Sequence, residues 1–97
     1  MPNIFIDQKS LAEIRSIIFG LYPQAVVWAY GSRVDGDAHE GSDLDLAVKD
    51  FGQPQGDLNA LREALQESNV PFLIDIFDFQ RLPPSFQKEI EKKHAVL

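Results

Sequence analysis

Asp43-Leu44-Asp45 sets two carboxylates one residue apart, at the head of a stretch, Leu44 to Val48, that reads as a strand. Successive strand residues face opposite sides, so Asp43 and Asp45 project to the same side, about 7 Å apart along the chain. Like charges at that spacing repel. They are tolerated at a strand's wet end, or with a cation between them. Mg²⁺ suits such a pair, because it takes a few carboxylates and fills its other positions with water and substrate phosphate oxygens. The same pair reads equally well as a solvated strand edge with no ligand.

Two further features bear on that chemistry. Gly31-Ser32 directly follows the apolar run Ala25 to Tyr30. Glycine lets a backbone turn sharply and approach a ligand, and a helix starting at Ser32 would add anion-binding N–H groups. Alone, the pair is also a plain strand-ending turn. Asp75 stands inside the apolar stretch Phe72-Leu73-Ile74-Asp75-Ile76-Phe77. A carboxylate there is costly unless it is paired or holds a metal. Its bland alternative is a strand-end acid meeting an arginine or a helix N-terminus. Asp78 lies three residues on, so a regular strand turns it to the opposite face from Asp75.

The elements that must position these groups follow from periodicity. Leu11, Ile14, Ile17, Ile18 and Leu21 form one apolar helical face. Asp7 or Ser10 can cap its start, and Ser10 with Glu13 has capping-box spacing. Gly20 and Pro23 stop it. Ala25 to Tyr30 reads as a buried strand, residues 33–42 as a loop with at most one helical turn at its start, and Leu44 to Val48 as a second strand. Asp57 caps a second long helix carrying Leu58, Leu61 and Leu65, which Asn69 ends. Phe72 to Phe79 is a third strand. Pro83-Pro84 opens a last helix with Phe86 and Ile90 on its inner face. A helix between strands two and three is long enough for a βαβ crossover. The expectation is an α/β (α+β) domain over residues 1–97, with a small mixed β-sheet packed against helices.

Composition narrows the function classes. Of 97 residues, 44% are hydrophobic and 25% charged, which fits a globular domain and excludes disorder as the main reading. A chain this short builds one thin core, so an active site is expected to be an open groove. Fifteen Asp and Glu against nine Lys and Arg give a net charge of -6, which argues against a broad nucleic-acid surface. No cysteine is present, which excludes a disulfide framework and a thiolate site and suits a reducing compartment. No apolar run approaches the ~20 residues needed to span a bilayer. No signal peptide is visible at Met1-Pro2-Asn3, and the expected location is the cytoplasm.

Some competing patterns fail. Counting an EF-hand loop from Asp35 puts Glu40 where glycine is needed and Leu46 where glutamate is needed. No Gly-x-x-x-x-Gly-Lys occurs. His39 can shuttle a proton but is better read as a solvated loop residue, and His94 as a surface residue at a helix end. Trp28 and Tyr30 read as core or partner-facing residues, and Arg62, Glu63 and Glu67 as an ordinary wet helix face.

In order, Gly31-Ser32-Arg33, Gly36-Asp37, Ser42-Asp43-Leu44-Asp45-Leu46 and Ile74-Asp75-Ile76 resemble the polymerase-β-like nucleotidyltransferase superfamily, and within it the minimal nucleotidyltransferase (MNT) family. The resemblance covers nearly the whole chain. Val34 departs from the small residue common after Gly-Ser-Arg, and the terminal helix ends in Lys92-Lys93-His94-Ala95-Val96-Leu97 instead of a longer tail. Neither change removes a carboxylate. The resemblance implies that Asp43, Asp45 and Asp75 are catalytic and hold Mg²⁺. It implies that Gly31, Ser32, Arg33 and Ser42 bind the triphosphate of ATP, with Arg33 as a charge donor. It implies transfer of AMP with release of pyrophosphate.

MNT proteins pair with small helical toxins of the HEPN class and act as their antitoxins, and members adenylylate a toxin tyrosine. The resemblance therefore implies a hetero-oligomer with a HEPN-type partner; the acidic charge balance and the lack of a long apolar run lead to the expectation of no direct nucleic-acid or membrane contact. A rival reading is a non-catalytic module that neutralises its partner by binding alone. A third is an antibiotic-modifying nucleotidyltransferase, disfavoured because those carry an extra acceptor domain.

Overall fold

The computed structural model describes residues 4–35 and 43–97. The elements run α1 (Gln8–Leu21), β1 (Val26–Tyr30), α2 (Ser32–Asp35), β2 (Leu44–Asp50), α3 (Leu58–Gln66), β3 (Ile74–Asp78), a 3₁₀ turn (Phe79–Arg81), α4 (Pro84–Lys92) and β4 (Ala95–Val96). The sheet order is β3-β2-β1-β4. β1 runs antiparallel to β2 and to β4, while β2 and β3, joined through α3, are parallel. The sheet is mixed, as expected.

Asp7 caps α1, its carboxylate accepting from the Ser10 amide at 3.0 Å. Ser10 itself is buried inside the helix, and Glu13 reaches away to accept from the Asn69 amide at 2.6 Å, so the capping-box spacing is not used. Asp57 caps α3 through the Ala60 amide at 3.1 Å. That helix ends at Gln66, short of Asn69. The Tyr22 hydroxyl accepts from the Asp57 amide at 2.6 Å, which ties the end of α1 to the start of α3.

Alternation gives the sheet two unlike faces. Ala95, Ala29, Leu46 and Ile76 lie side by side across all four strands, and all four are buried. They pack with Ile14 and Ile18 of α1 and Leu61 and Leu65 of α3. Burial of each larger side chain there contributes about 1.5–3 kcal/mol. On the opposite face, Tyr30 and Ala47 pack with Phe79 and with Ile90 of α4, and Trp28 and Leu82 close the cluster. The order is therefore two helices, a sheet, and one helix covering part of the second face.

Four expectations need correction. The terminal helix does not run to Leu97 but ends at Lys92; Ala95–Val96 then pair as β4 with β1, and the Leu97 amide donates to the Val27 carbonyl at 3.0 Å. Two residues are too few for any periodic signal. His94 is no free surface residue: its ring stacks on Trp28 at 3.9 Å, and Nδ1 lies 2.9 Å from the Ile90 carbonyl oxygen. Arg62 is not part of a wet face, since its guanidinium donates to the Ile76 carbonyl at 2.9 Å and covers the edge of β3. The third strand begins at Ile74, not Phe72.

Candidate active site

The acidic residues gather where β1 ends and β2 and β3 begin. Asp45 stands opposite Asp75 in the parallel register and opposite Tyr30 in the antiparallel one. Paired residues on neighbouring strands share a face, so Tyr30, Asp45 and Asp75 form one row across three strands. Asp43 precedes Asp45 by two residues and shares that side. Asp78 falls on the other side, as strand geometry demands. It caps the 3₁₀ turn through the Gln80 amide at 3.1 Å and lies 3.9 Å from the exposed Arg81.

Electrostatics register this closeness. The Asp45 carboxyl is pushed above the ordinary carboxylate range, first by its burial, then by the negative charges of Asp75 and Asp43. The Tyr30 hydroxyl is pushed up to about 12 by burial and by Asp45 and Asp75. It therefore stays a neutral phenol beside the acids throughout the physiological range.

The turn after β1 is built around Asp45. Gly31 has φ +82, where L side chains rarely go, and a Cβ there would stand 2.6 Å from Asp45 Oδ2. The carboxylate thus lies almost against the Gly31 backbone. The Val34 amide donates to the Gly31 carbonyl at 2.9 Å as the chain turns into α2. Ser32 is half-buried at the head of that turn. Only 8% of Arg33 is exposed; its Nη1 donates to the Phe5 carbonyl at 2.9 Å, and its guanidinium lies 4.2 Å from the Phe72 ring centroid. The Phe5 amide returns a bond to the Arg33 carbonyl at 2.7 Å, so this arginine fastens the N-terminal segment. Ser42 and His39 lie outside the described residues.

Two grooves flank the acidic row. One, of about 670 Å³, runs from Tyr30, Gly31 and Asp45 to Phe86, Ile90 and Lys93 on the α4 side. The other, of about 600 Å³, meets Asp75 and is lined by Leu65, Val70, Phe72 and Leu73 among others. Phe86, Glu89, Lys92 and Lys93 also line the first groove, and nothing in their spacing in the sequence ties α4 to Asp45.

The donor set suits a hard divalent cation: carboxylate oxygens on one face, mutually repelling, with Asp45 partly withdrawn from water. Among the described residues no group of three acidic or imidazole side chains is placed to hold a metal ion. The arrangement is an open one, of the kind Mg²⁺ completes with water and phosphate oxygens.

A mixed sheet bearing acids at the heads of two adjacent parallel strands, beside a glycine turn, is the frame of a nucleotidyltransferase. Residues 13–97 match the family described as "Polymerase beta, Nucleotidyltransferase". The chain belongs to that family and, within it, to the minimal nucleotidyltransferases, and it is a nucleotidyltransferase. It is 37% identical over 95 residues to "Probable protein adenylyltransferase MntA" of Haemophilus influenzae, covering 95% of this chain and 82% of that protein. It is similar in fold, with a TM-score of 0.67 and 17% identity over 94% of this chain and 72% of the other, to a chain in the "Crystal structure of the toxin-antitoxin with AMP-PNP". Among the described residues no helix is long and apolar enough to cross a membrane.

Proposed function

We propose that this chain transfers AMP from ATP, with Mg²⁺, to a tyrosine hydroxyl of a helical HEPN-type toxin, and that it thereby acts as the toxin's antitoxin. The observation that carries the reading is Asp45 standing in register with Asp75, with Asp43 on the same side. Support comes from the 37% identical relative, a probable protein adenylyltransferase. The fold neighbour described as a toxin-antitoxin with AMP-PNP is consistent with it.

Asp43 and Asp45 would hold Mg²⁺, with Asp75 as a further ligand or as the base, and the ion when bound screens the triphosphate charge and the charge developing at the α-phosphate. The protein's own part is positioning, since phosphoryl-type transfer asks little covalent chemistry of it. Gly31 and Ser32, at the turn after β1 and beside Asp45, cradle a terminal phosphate. The acceptor oxygen attacks the α-phosphorus, the bond from that phosphorus to the bridging oxygen breaks, and pyrophosphate leaves. The acceptor proton passes to Asp75, which is exposed on the edge strand β3 and reachable from outside.

The test incubates the chain with ATP, Mg²⁺ and a HEPN-type protein and weighs the partner. A gain of about 329 Da per event is expected, the mass of one adenylyl group in such a transfer. The Asp43→Ala/Asp45→Ala double variant should lower the rate by at least about a hundredfold. Retained neutralisation by that variant would favour the binding-module reading. No transfer by the wild type with Mg²⁺ or Mn²⁺ would remove the enzyme reading of this partner.

A further inference from the structure

β3 is an edge strand, and the face of it that bears Asp75 is apolar on both sides of that acid. The Leu73 carbonyl accepts from the Leu44 amide at 2.9 Å, so the ladder with β2 is already running at Leu73. Alternation then sets Leu73, Asp75 and Phe77 on one side of the strand, each about 7 Å from the next. Leu73 is 70% exposed, more than any other large hydrophobic side chain among the described residues, and Phe77 is 39% exposed. The groove beside Asp75 carries this strip onward past Leu73, through Val70, Pro71, Phe72 and Ile74. Asp75 is the one charged residue in its lining. An apolar strip left in water, with a site acid at its centre, marks a surface that a partner covers.

The chemistry of the strip limits what that partner is. A polyanion such as RNA meets no lysine or arginine in the groove, and Asp43 and Asp45 add negative charge on the same side. A small polar acceptor gains nothing from Leu73 and Phe77. A second copy of this chain adding a strand at the β3 edge meets a block. The Leu73 carbonyl points to β2, so the Ile76 carbonyl points to the free edge, and Arg62 Nη2 already donates to it at 2.9 Å. A protein surface met side chain to side chain fits what is left: apolar around its centre and free of carboxylates there.

We infer that Leu73 and Phe77 seat an apolar surface of the acceptor protein and hold its acceptor hydroxyl between them, over Asp75. This rests on the transfer reading above for what the acceptor is, and deepens it by naming the surface that receives it. The acceptor then enters at the outer edge of the acidic row, on the side away from β1.

The experiment measures binding of a HEPN-type protein by calorimetry without nucleotide, then AMP transfer to it with ATP and Mg²⁺. Leu73→Ser and Phe77→Ser should each weaken binding roughly tenfold, the scale of withdrawing one large apolar side chain from an interface. Each should raise KM for the protein acceptor by a similar factor and leave KM for ATP unchanged. Leu73→Met, which stays apolar, should bind as the wild type does. Because Leu73 is largely in water, Leu73→Ser should keep the wild-type melting temperature, so its loss of binding reads the surface and not the fold. Wild-type affinity in both serine variants would overturn the inference while transfer itself stood. A wild-type dimer in sedimentation that Leu73→Ser dissolves would also overturn it, by making a second copy the occupant. Binding that the serine variants weaken, with no AMP transferred by the wild type, would remove the transfer reading and leave the docking surface in place. No binding of the HEPN-type protein by the wild type would overturn the docking surface.

Discussion

At the scale of single residues, the site is held by contacts that forbid substitution for different reasons. Gly31→Ala places a methyl group at φ +82 and 2.6 Å from Asp45 Oδ2. The left-handed conformation alone costs about 1–2 kcal/mol, and the carboxylate must move as well. We expect a stability loss of at least that size by denaturant unfolding, together with loss of transfer. Tyr30 makes a separate prediction through its hydroxyl at about 12. An unfolded tyrosine ionises near 10 while the folded one keeps its proton, so stability falls as pH rises from about 10 to about 12. Tyr30→Phe should flatten that decline, read as melting temperature against pH. If the wild type and Tyr30→Phe lose stability in parallel across that window, Tyr30 is not held neutral by its burial and the two acids.

At the scale of elements, what was legible in the sequence tracks how much apolar patterning each element carries. α1, β1, β2, α3 and α4 announce themselves through Ile14 and Ile18, Val27 and Ala29, Leu44 and Leu46, Leu61 and Leu65, and Pro84 with Ile90. β4 was illegible because Ala95-Val96 is only two residues, held by pairing with β1 rather than by its own pattern. The acids were legible by type and spacing, and their convergence followed once β2 and β3 were read as parallel neighbours. The role of Arg33 was not legible, because its partners Phe5 and Phe72 lie far along the chain on either side. A buried guanidinium must be satisfied where it lies. Arg33→Met should therefore cost about 2–3 kcal/mol, the loss of a charged hydrogen bond and a cation–π contact partly offset by retained apolar volume. The loss should appear in unfolding of the free protein with no nucleotide present. An unchanged unfolding midpoint would mean that Arg33 does not fasten the N-terminal segment.

At the scale of the whole molecule, the sheet divides stability from chemistry between its two faces. One face is closed by α1 and α3 and holds the continuous apolar core. The other leaves its acidic end open, where Asp43, Asp45 and Asp75 share a side and α4 covers only the part beyond. The acids therefore weigh against the fold when no cation is bound. Burial and the charges of Asp75 and Asp43 raise the Asp45 carboxyl, so the folded chain holds that proton more tightly than the unfolded chain does. By linkage, stability from this group falls as pH rises from the ordinary aspartate value of 3.8 through its raised folded value, and the penalty is complete above it. Asp45→Asn removes the charge and keeps the shape. In chelator at pH 7 it should melt at the same temperature as the wild type or a few degrees higher, and its stability should change less with pH across that window. In the presence of Mg²⁺ the wild type should gain thermal stability and Asp45→Asn should gain much less, since the cation then has fewer carboxylates to bind. A clear drop in the melting temperature of Asp45→Asn in chelator would show instead that the carboxylate accepts a structural hydrogen bond near Gly31, and that this end of the sheet is built for stability rather than for an ion.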